Sequence, residues 1–103
     1  MREMAVYVVI RRDLKMRRGK EIAQGIHAVA ALGYVDGLAV VVLQGRDLEH
    51  LTNMSFEAEW HQVQYRYARD AGRTEVKSGT ITALAIGPVE KGRLPLLSAA
   101  ELY

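Results

Sequence analysis

The sequence predicts an α/β fold in three layers, with helices on both sides of a four-stranded mixed sheet. Short apolar runs rich in Val, Ile and Ala alternate with segments of helical periodicity, in the order β-α-β-α-β-β. A chain of 103 residues, half of them apolar, has the length of one domain and can bury a modest core. We therefore expect one domain over residues 1–103.

The first half of the chain predicts two strands with a helix between them. Met4 to Ile10 is an apolar, β-branched run typical of a buried strand. Lys20 to Leu32 has helical periodicity and would end at Gly33. The expected apolar stripe of this helix is Ile22, Ala23, Ile26, Val29 and Ala30. After a turn at Asp36-Gly37, Leu38 to Leu43 predicts a second buried strand.

A second helix and a third strand follow. Asp47 is a suitable N-cap for a helix that runs to about Trp60. The side chains expected to face inward from this helix are Leu48, Leu51, Met54 and Ala58. Val63 to Tyr67 alternates between apolar and polar residues, as in a half-buried strand. Asp70 to Gly79 is then a predicted loop.

The order of the elements restricts how the strands pair. Thr80 to Ile86 predicts the last strand, with Gly87-Pro88 expected to end it, and the tail from Val89 to Tyr103 has no clear period. Strand–helix–strand units favour parallel pairing with right-handed crossovers, and a strand order of 2-1-4-3 with strand 4 antiparallel satisfies this preference. The ends of strands 1 and 3 and the start of strand 4 then share one sheet edge, where open α/β sheets bind ligands.

Composition argues against several classes of site. Without cysteine the chain has neither disulfides nor thiolate ligands. His27, His50 and His61 lack the spacing of a metal site, so we expect neither a metal nor another cofactor. No apolar run is long enough to cross a bilayer, and the start does not resemble a signal peptide. We expect a cytoplasmic protein that does not bind membranes.

The basic residues are clustered, although the net charge is only +2. The first cluster consists of Arg11, Arg12, Lys15, Arg17, Arg18 and Lys20, and the second consists of Arg66, Arg69, Arg73 and Lys77. Clustered cations attract polyanions through counterion release. One such cluster is equally compatible with a solvated loop, whereas two at the same sheet edge favour RNA as a partner.

Polar side chains capable of chemistry lie in two places. Lys20, Gln24 and His27 share one face of the first predicted helix, and Lys20 lies at its start, where backbone amides favour anions. Spacing alone favours a surface lysine at position 20. It leaves the role of His27 open, with a half-buried, hydrogen-bonded histidine as the structural alternative. Asp70 follows the third strand and has two possible roles, orienting a water molecule or capping the loop.

Three threonine hydroxyl groups lie near Asp70 in the predicted loop and the last strand. Thr74, Thr80 and Thr82 could orient a substrate carbonyl or a water molecule, and Arg73 adds a cation beside them. Thr82 alternates with apolar residues, so a purely structural role in the strand is the alternative.

Together these segments resemble the signature of the type II (archaeal/eukaryotic-type) peptidyl-tRNA hydrolases. The matching runs are Asp13-Leu14-Lys15-Met16, Gln24 with His27-Ala28, Asp70-Ala71-Gly72-Arg73-Thr74, and Ala85-Ile86-Gly87-Pro88. The resemblance implies hydrolysis of the ester that joins a peptide to the tRNA 3′ end, without a metal. It places the catalytic residues at Lys20, Asp70 and Thr74, and the substrate-binding residues at Gln24, His27, Arg73, Thr80 and Thr82. For acceptor-stem phosphates we expect Arg11, Arg12, Lys15, Arg17 and Arg18.

The chain departs from the family pattern outside the site. Arg17-Arg18 replaces a Gly-Lys pair, the segment between helix 1 and strand 2 is cut to about residues 34–37, and the C-terminal helix is reduced. Such a shortened relative is compatible with a compact enzyme, and with a non-catalytic RNA-binding module on the same fold. Because the shortened segments would otherwise cover the sheet, we expect apolar surface of the sheet to be exposed. A second copy in a homodimer would bury that surface.

Overall fold

A computed structural model describes residues 3–33, 36–72 and 76–103. Its elements are β1 (Met4–Arg11), α1 (Arg18–Leu32), β2 (Ala39–Gly45), α2 (Leu48–Trp60), β3 (Tyr65–Arg69), β4 (Ile81–Glu90) and α3 (Pro95–Ala99). The strands form one sheet in the order β2-β1-β4-β3. β1 and β2 run parallel, and β4 runs antiparallel to both β1 and β3. The predicted fold class and strand order are confirmed.

β1 lies in the middle of the three layers because both of its faces are apolar. Tyr7 and Val9 belong to the core beneath α2 and α3, whereas Val8 and Ile10 belong to the core beneath α1. Successive side chains of a strand point to opposite faces, so a strand covered on both sides is a continuous apolar run. β1 is such a run from Ala5 to Ile10.

β4 continues through Gly87 and Pro88 to Glu90, so the prediction that this pair ends the strand is wrong. The ladder between β1 and β4 shifts register opposite the pair, and such irregularities are where proline is tolerated in a sheet. Gly87 has φ 136°, and a Cβ there would lie 2.8 Å from the carbonyl oxygen of Ala5. A glycine therefore allows the two strands to approach.

The tail is ordered by packing, without any periodicity in its sequence. Leu94, the N-cap of the short helix α3, and Leu97 within α3 are both buried in the α2-side core. Leu102 then pairs antiparallel with Leu43 of β2, and the backbone amide of Tyr103 donates to the carbonyl of Val42. The last residues thus cover part of the β2 edge.

The predicted apolar stripe of α1 is wrong for three of its five residues, which are exposed, whereas Val29 packs against the core beneath the helix. The residues of α1 that are buried are Glu21, Gln24, Gly25 and Ala28, whereas Ile22 and Ile26 are exposed. α1 packs over β1, β4 and β3, where the sheet surface is lined by small side chains such as Ala83 and Ala85. Only small residues of α1 can approach such a surface closely; a Cβ on Gly25 would already lie 3.2 Å from Ile10 Cδ1.

α2 matches its prediction more closely. The carboxylate of Asp47 accepts a hydrogen bond of 2.8 Å from the backbone amide of His50, which confirms the N-cap. Leu51, Met54 and Ala58 are buried as expected, but Leu48 is exposed. Within the described ranges, no helix is both long enough and apolar enough to span a bilayer.

Candidate active site

The ends of β1 and β3 and the start of β4 meet at one sheet edge. The guanidinium of Arg11, the last residue of β1, donates to the carbonyl of Ile81, the first residue of β4, at 2.9 Å. Its Nε and Nη2 donate to the two oxygens of Asp13 at 3.0 and 2.7 Å. This bidentate pair lowers the pKa of the Asp13 carboxyl. Arg11 therefore ties the basic turn, residues 11–18 between β1 and α1, to the sheet edge.

The centre of the candidate site is an ion pair between Lys20 and Asp70. Lys20 lies in the first turn of α1, and Asp70 directly follows β3. Lys20 Nζ lies 2.6 Å from Asp70 Oδ1, and the two side chains are 14% and 3% exposed. The fold thus brings together two residues that are fifty positions apart in the sequence and that the motif resemblance selects.

Asp70 is held by donors from three directions. Gly72 N donates to Oδ2 at 2.6 Å, and Gln24 Nε2 donates at 3.5 Å to Oδ1, the oxygen that Lys20 also contacts. The backbone amide of Asp70 donates to the carbonyl of Thr80, which fixes the loop to the start of β4. The Lys20 ammonium holds the pKa of the Asp70 carboxyl below its ordinary value, helped by the Gly72 amide and opposed by burial. Asp70 is therefore a carboxylate at neutral pH, and it also makes the loop-capping contact that the sequence suggested.

Gln24 and Thr82 lie beneath the ion pair rather than at the surface. Thr82 is completely buried, and its hydroxyl donates to Gln24 Oε1 at 2.5 Å, with the carbonyl of Ala68 at 3.3 Å. Gln24 in turn reaches Asp70 through its amide nitrogen. The two side chains that we predicted to bind substrate thus support the carboxylate from below.

The remaining predicted site residues are distributed around this centre. Thr80 is half-buried beside Asp70, and His27 is exposed on α1, so Lys20, Gln24 and His27 do not share one environment. The predictions for Arg73 and Thr74 concern residues that lie outside the described ranges.

The basic turn combines internal contacts with exposed side chains. Arg11 is buried in the contacts given above. Arg12 Nε pairs with Glu21 Oε2 at 3.0 Å, and its guanidinium lies 4.8 Å from the centre of the Tyr103 ring. The side chains of the turn that are exposed are Arg12, Lys15, Arg17 and Arg18.

Glu21 and Tyr103 are part of this region but were missed by the sequence interpretation. The Tyr103 hydroxyl donates to Glu21 Oε1 at 2.5 Å, and this bond raises the pKa of the tyrosine. Together with Arg12 they tie the chain end to the first turn of α1, one residue from Lys20. A glutamate next to Lys20 gave only a faint signal, and Tyr103 gave none, because the tail has no pattern that predicts its position.

Within the described ranges, no three His, Cys, Asp or Glu side chains are grouped so as to hold a metal ion. The polar centre consists of one ammonium group, one carboxylate and the hydrogen-bond donors around them. Chemically, such an arrangement can bind an anion, stabilise developing negative charge and orient a water molecule.

Comparison with known proteins identifies relatives along most of the chain. The family model described as peptidyl-tRNA hydrolase PTH2 matches residues 4–97. A peptidyl-tRNA hydrolase of Methanopyrus kandleri is 36% identical over 112 aligned positions, covering 87% of this chain and 95% of the relative. One from Methanocaldococcus jannaschii is 34% identical over 100 positions, covering 82% and 86%. Because 112 positions exceed the 103 residues of this chain, the M. kandleri protein has residues within the alignment that this chain lacks.

A solved structure supports the fold. A protein of unknown function from Agrobacterium tumefaciens superposes with a TM-score of 0.66, covering all of this chain and 99% of the other. The two sequences are only 14% identical, so this likeness concerns the architecture alone.

Proposed function

The chain belongs to the family of peptidyl-tRNA hydrolases described as PTH2, and we propose that it hydrolyses the ester bond between the peptide and the tRNA in peptidyl-tRNA. The single observation that supports a particular site for this activity is the Lys20–Asp70 ion pair at the sheet edge. It lies where the family motif places the catalytic residues, and where an open α/β sheet binds its ligands.

The reaction needs one water molecule and produces no charged leaving group. The water oxygen attacks the ester carbonyl carbon, and negative charge develops on the carbonyl oxygen. The bond to the ribose oxygen then breaks, and a proton from the water ends on that oxygen as the tRNA hydroxyl. The products are a peptide carboxylate and an intact tRNA, and the second proton of the water passes to the solvent.

Lys20 supplies positive charge for the developing oxyanion. The Lys20 side chain is only 14% exposed and its ammonium is close to Asp70, so the ammonium is oriented before the substrate arrives. A fixed cation in a partly dehydrated site stabilises the transition state without reorganising. Asp70 orients this ammonium and presents its carboxylate to the attacking water. In this proposal Thr74 hydrogen-bonds the reacting group.

The tRNA would approach over the exposed part of the basic turn. Lys15, Arg17 and Arg18 are exposed next to the start of α1, whose N-cap has no side-chain hydrogen bond. Cations beside the positive end of a helix dipole favour phosphate groups. We propose that this surface contacts the acceptor end, while His27, Arg73 and Thr80 contact the substrate nearer to the scissile bond.

We further propose the setting in which this activity is used. The protein would recycle tRNA after aborted translation, in the cytoplasm, as a metal-independent homodimer that does not bind membranes. The absence of cysteine and of metal-ligand spacing in the sequence supports the proposed independence of metals.

The test is the hydrolysis of a short peptidyl-tRNA by the purified protein. Lys20→Ala and Asp70→Asn should each lower kcat/KM by about 100-fold or more, as expected when an oxyanion donor or its orienting partner is removed. The chain offers a matched control in the exposed ion pair between Lys91 and Glu3, at 3.1 Å. Lys91→Ala and Glu3→Gln should leave the rate unchanged.

Two outcomes would contradict the assignment. If the site variants kept the wild-type rate with unchanged melting temperatures, hydrolysis would take place elsewhere. If the wild-type protein bound tRNA but released no peptide, the non-catalytic RNA-binding alternative would replace the hydrolase.

A further inference from the structure

A polar cavity opens at the same sheet edge as the Lys20–Asp70 pair, at the end of that edge formed by β2. Its volume is about 200 Å³, and it lies between the ends of β1 and β2, the first turn of α2 and the end of α3. The polar side chains that line it belong to Arg12, Gln44, Arg46, His50 and Glu101. Because neighbouring strands lie about 4.8 Å apart, the end of β2 is about 14 Å from the end of β3 along this edge.

His50 brings a hydrogen-bond donor to this cavity. The side chain is 8% exposed, and its Nδ1 accepts a hydrogen bond of 2.9 Å from the backbone amide of Arg46. Burial, with Arg46 nearby, lowers the pKa of His50, so the ring is neutral at pH 7. Since Nδ1 acts as an acceptor, the single ring proton lies on Nε2.

The Nε2–H group of His50 has no hydrogen-bond partner within the described ranges. Every side-chain nitrogen or oxygen that is fully enclosed in this part of the chain does have a partner, so Nε2 opens onto the cavity rather than into the protein interior. Leaving a largely buried donor unsatisfied is unfavourable, and most such groups in proteins are bonded. The orphaned donor indicates that an acceptor from outside the chain belongs in the cavity.

The charges around the cavity favour an anion as that acceptor. Arg12 is held in place by its ion pair with Glu21 and by the Tyr103 ring beneath its guanidinium. The side chain of Arg46 is exposed and makes neither an ion pair nor a hydrogen bond with the described residues. Within those residues Glu101 is the only acid in the lining, so the two guanidinium groups outweigh it.

Among anions, a phosphate group fits these donors best. Guanidinium groups match the spacing of phosphate oxygens, and a neutral N–H donor adds a bond without adding charge. The positive end of the α2 dipole contributes in the same direction, although the Asp47 carboxylate that caps the helix opposes it. A cavity several times the volume of a water molecule leaves room for the group.

We propose that this cavity is a phosphate subsite, in which Arg12, Arg46 and His50 Nε2–H hold a backbone phosphate of the bound tRNA. The subsite rests on the proposed function, because it requires a tRNA whose ester bond lies at Lys20 and Asp70. The two positions share one open edge and are about 14 Å apart, a distance that the unpaired 3′ end of a tRNA can span. The tRNA strand would then run along the edge from β3 towards β2.

The first test follows the histidine side chains of the full chain by NMR at constant ionic strength. Inorganic phosphate is titrated first, and deacylated tRNA is titrated in a separate experiment. The His50 ring signals should shift or broaden with both probes. His61, at the other end of α2, is the internal control and should respond to neither.

The second test measures the affinity for deacylated tRNA as a function of salt. Arg46→Gln should weaken binding by about tenfold and flatten the log–log salt dependence by about one unit, because one phosphate contact is lost. His50→Asn retains a side-chain oxygen that can accept from the Arg46 amide but removes the Nε2 donor. It should also weaken binding by about tenfold, with an unchanged slope, because the lost donor is neutral.

The matched control is Arg93→Gln. Arg93 is also exposed, but it follows β4 at the opposite edge of the sheet, so its loss should leave both the affinity and the slope unchanged. All variants should keep the circular dichroism spectrum of the wild-type protein, since Arg46 and Arg93 lie at the surface and His50→Asn preserves the bond to the backbone.

Three results would overturn this inference. They are His50 signals that respond to neither probe, signals that respond to inorganic phosphate but not to tRNA, and an Arg46→Gln variant that binds tRNA as well as Arg93→Gln does. The second result would assign the cavity to a free phosphate ion instead of the tRNA backbone. None of these measurements uses hydrolysis, so tRNA binding without turnover would remove the proposed activity and leave the subsite standing, whereas an active enzyme with an unresponsive His50 would lose only the subsite.

Discussion

Replacing Thr82 by Val tests whether the buried hydrogen bonds beneath the ion pair position Asp70. The two side chains have nearly the same shape, so the substitution removes the hydroxyl donor without creating a cavity. Gln24 Oε1 would then lose the bond of 2.5 Å that it accepts from Thr82. Since Thr82 is completely buried, water does not replace the missing donor without a rearrangement.

The expected loss follows from the unsatisfied acceptor. Leaving one buried polar group without a partner costs about 1–3 kcal/mol. In a domain of this size each kcal/mol lowers Tm by about 4–8 °C. Gln24 would also be less well fixed beside Asp70 Oδ1, and a small misplacement of a catalytic group lowers kcat by about 10–100-fold. KM should change much less, because a fully buried side chain does not touch the tRNA.

The measurements are thermal unfolding and steady-state hydrolysis of a short peptidyl-tRNA. Thr52→Val is a matched control, because its hydroxyl bonds the carbonyl of Leu48 at the surface of α2. The control should change neither Tm nor kcat appreciably. If Thr82→Val behaved like the control, the buried hydroxyl would have no role in positioning, and the reasoning from Thr82 through Gln24 to Asp70 would be refuted.

Four further predictions follow from the site and its surroundings. Thorough chelation with EDTA should leave hydrolysis unchanged once the tRNA is kept folded; restoration of a lost rate by a divalent ion would contradict this. Lys15→Ala with Arg18→Ala should flatten the log–log dependence of tRNA affinity on salt by about one to two units, at similar kcat; an unchanged slope would mean that RNA docks elsewhere. Tyr103→Phe removes the bond to Glu21 and should lower stability by about 1 kcal/mol in thermal unfolding, whereas an unchanged Tm would show that the chain end is not fastened there. The pKa of Asp70 is lowered from 3.8, so its contribution to stability should be complete above pH 3.8 and lost as the pH falls further; in urea titrations Asp70→Asn should abolish that part of the pH dependence.

The sheet could be predicted from the sequence because its signals are local and strong. β1 and β2 are apolar, β-branched runs, and the rule for strand–helix–strand crossovers left few ways to arrange them. The same order places the ends of β1 and β3 together, so Lys20 and Asp70 could be expected at one edge. Their contact of 2.6 Å agrees with that expectation.

The orientation of α1 could not be predicted, because the rule that apolar side chains face inward fails for this helix. Ile22 and Ile26 are exposed, while Gln24 is buried. The sheet face beneath α1 is lined with alanine, which favours close approach, and the buried amide has a partner in Thr82. Neither fact is visible until the strands are paired.

The low pKa of Asp70 restricts how the proposed site can work. A carboxylate whose proton affinity is reduced by Lys20 is a weak general base at neutral pH, because efficient proton transfer requires a pKa near the working pH. The same contact that weakens Asp70 as a base fixes the Lys20 ammonium in place, which favours charge stabilisation as the main contribution to the rate. Asp70 then acts by accepting a hydrogen bond from the attacking water and by orienting Lys20.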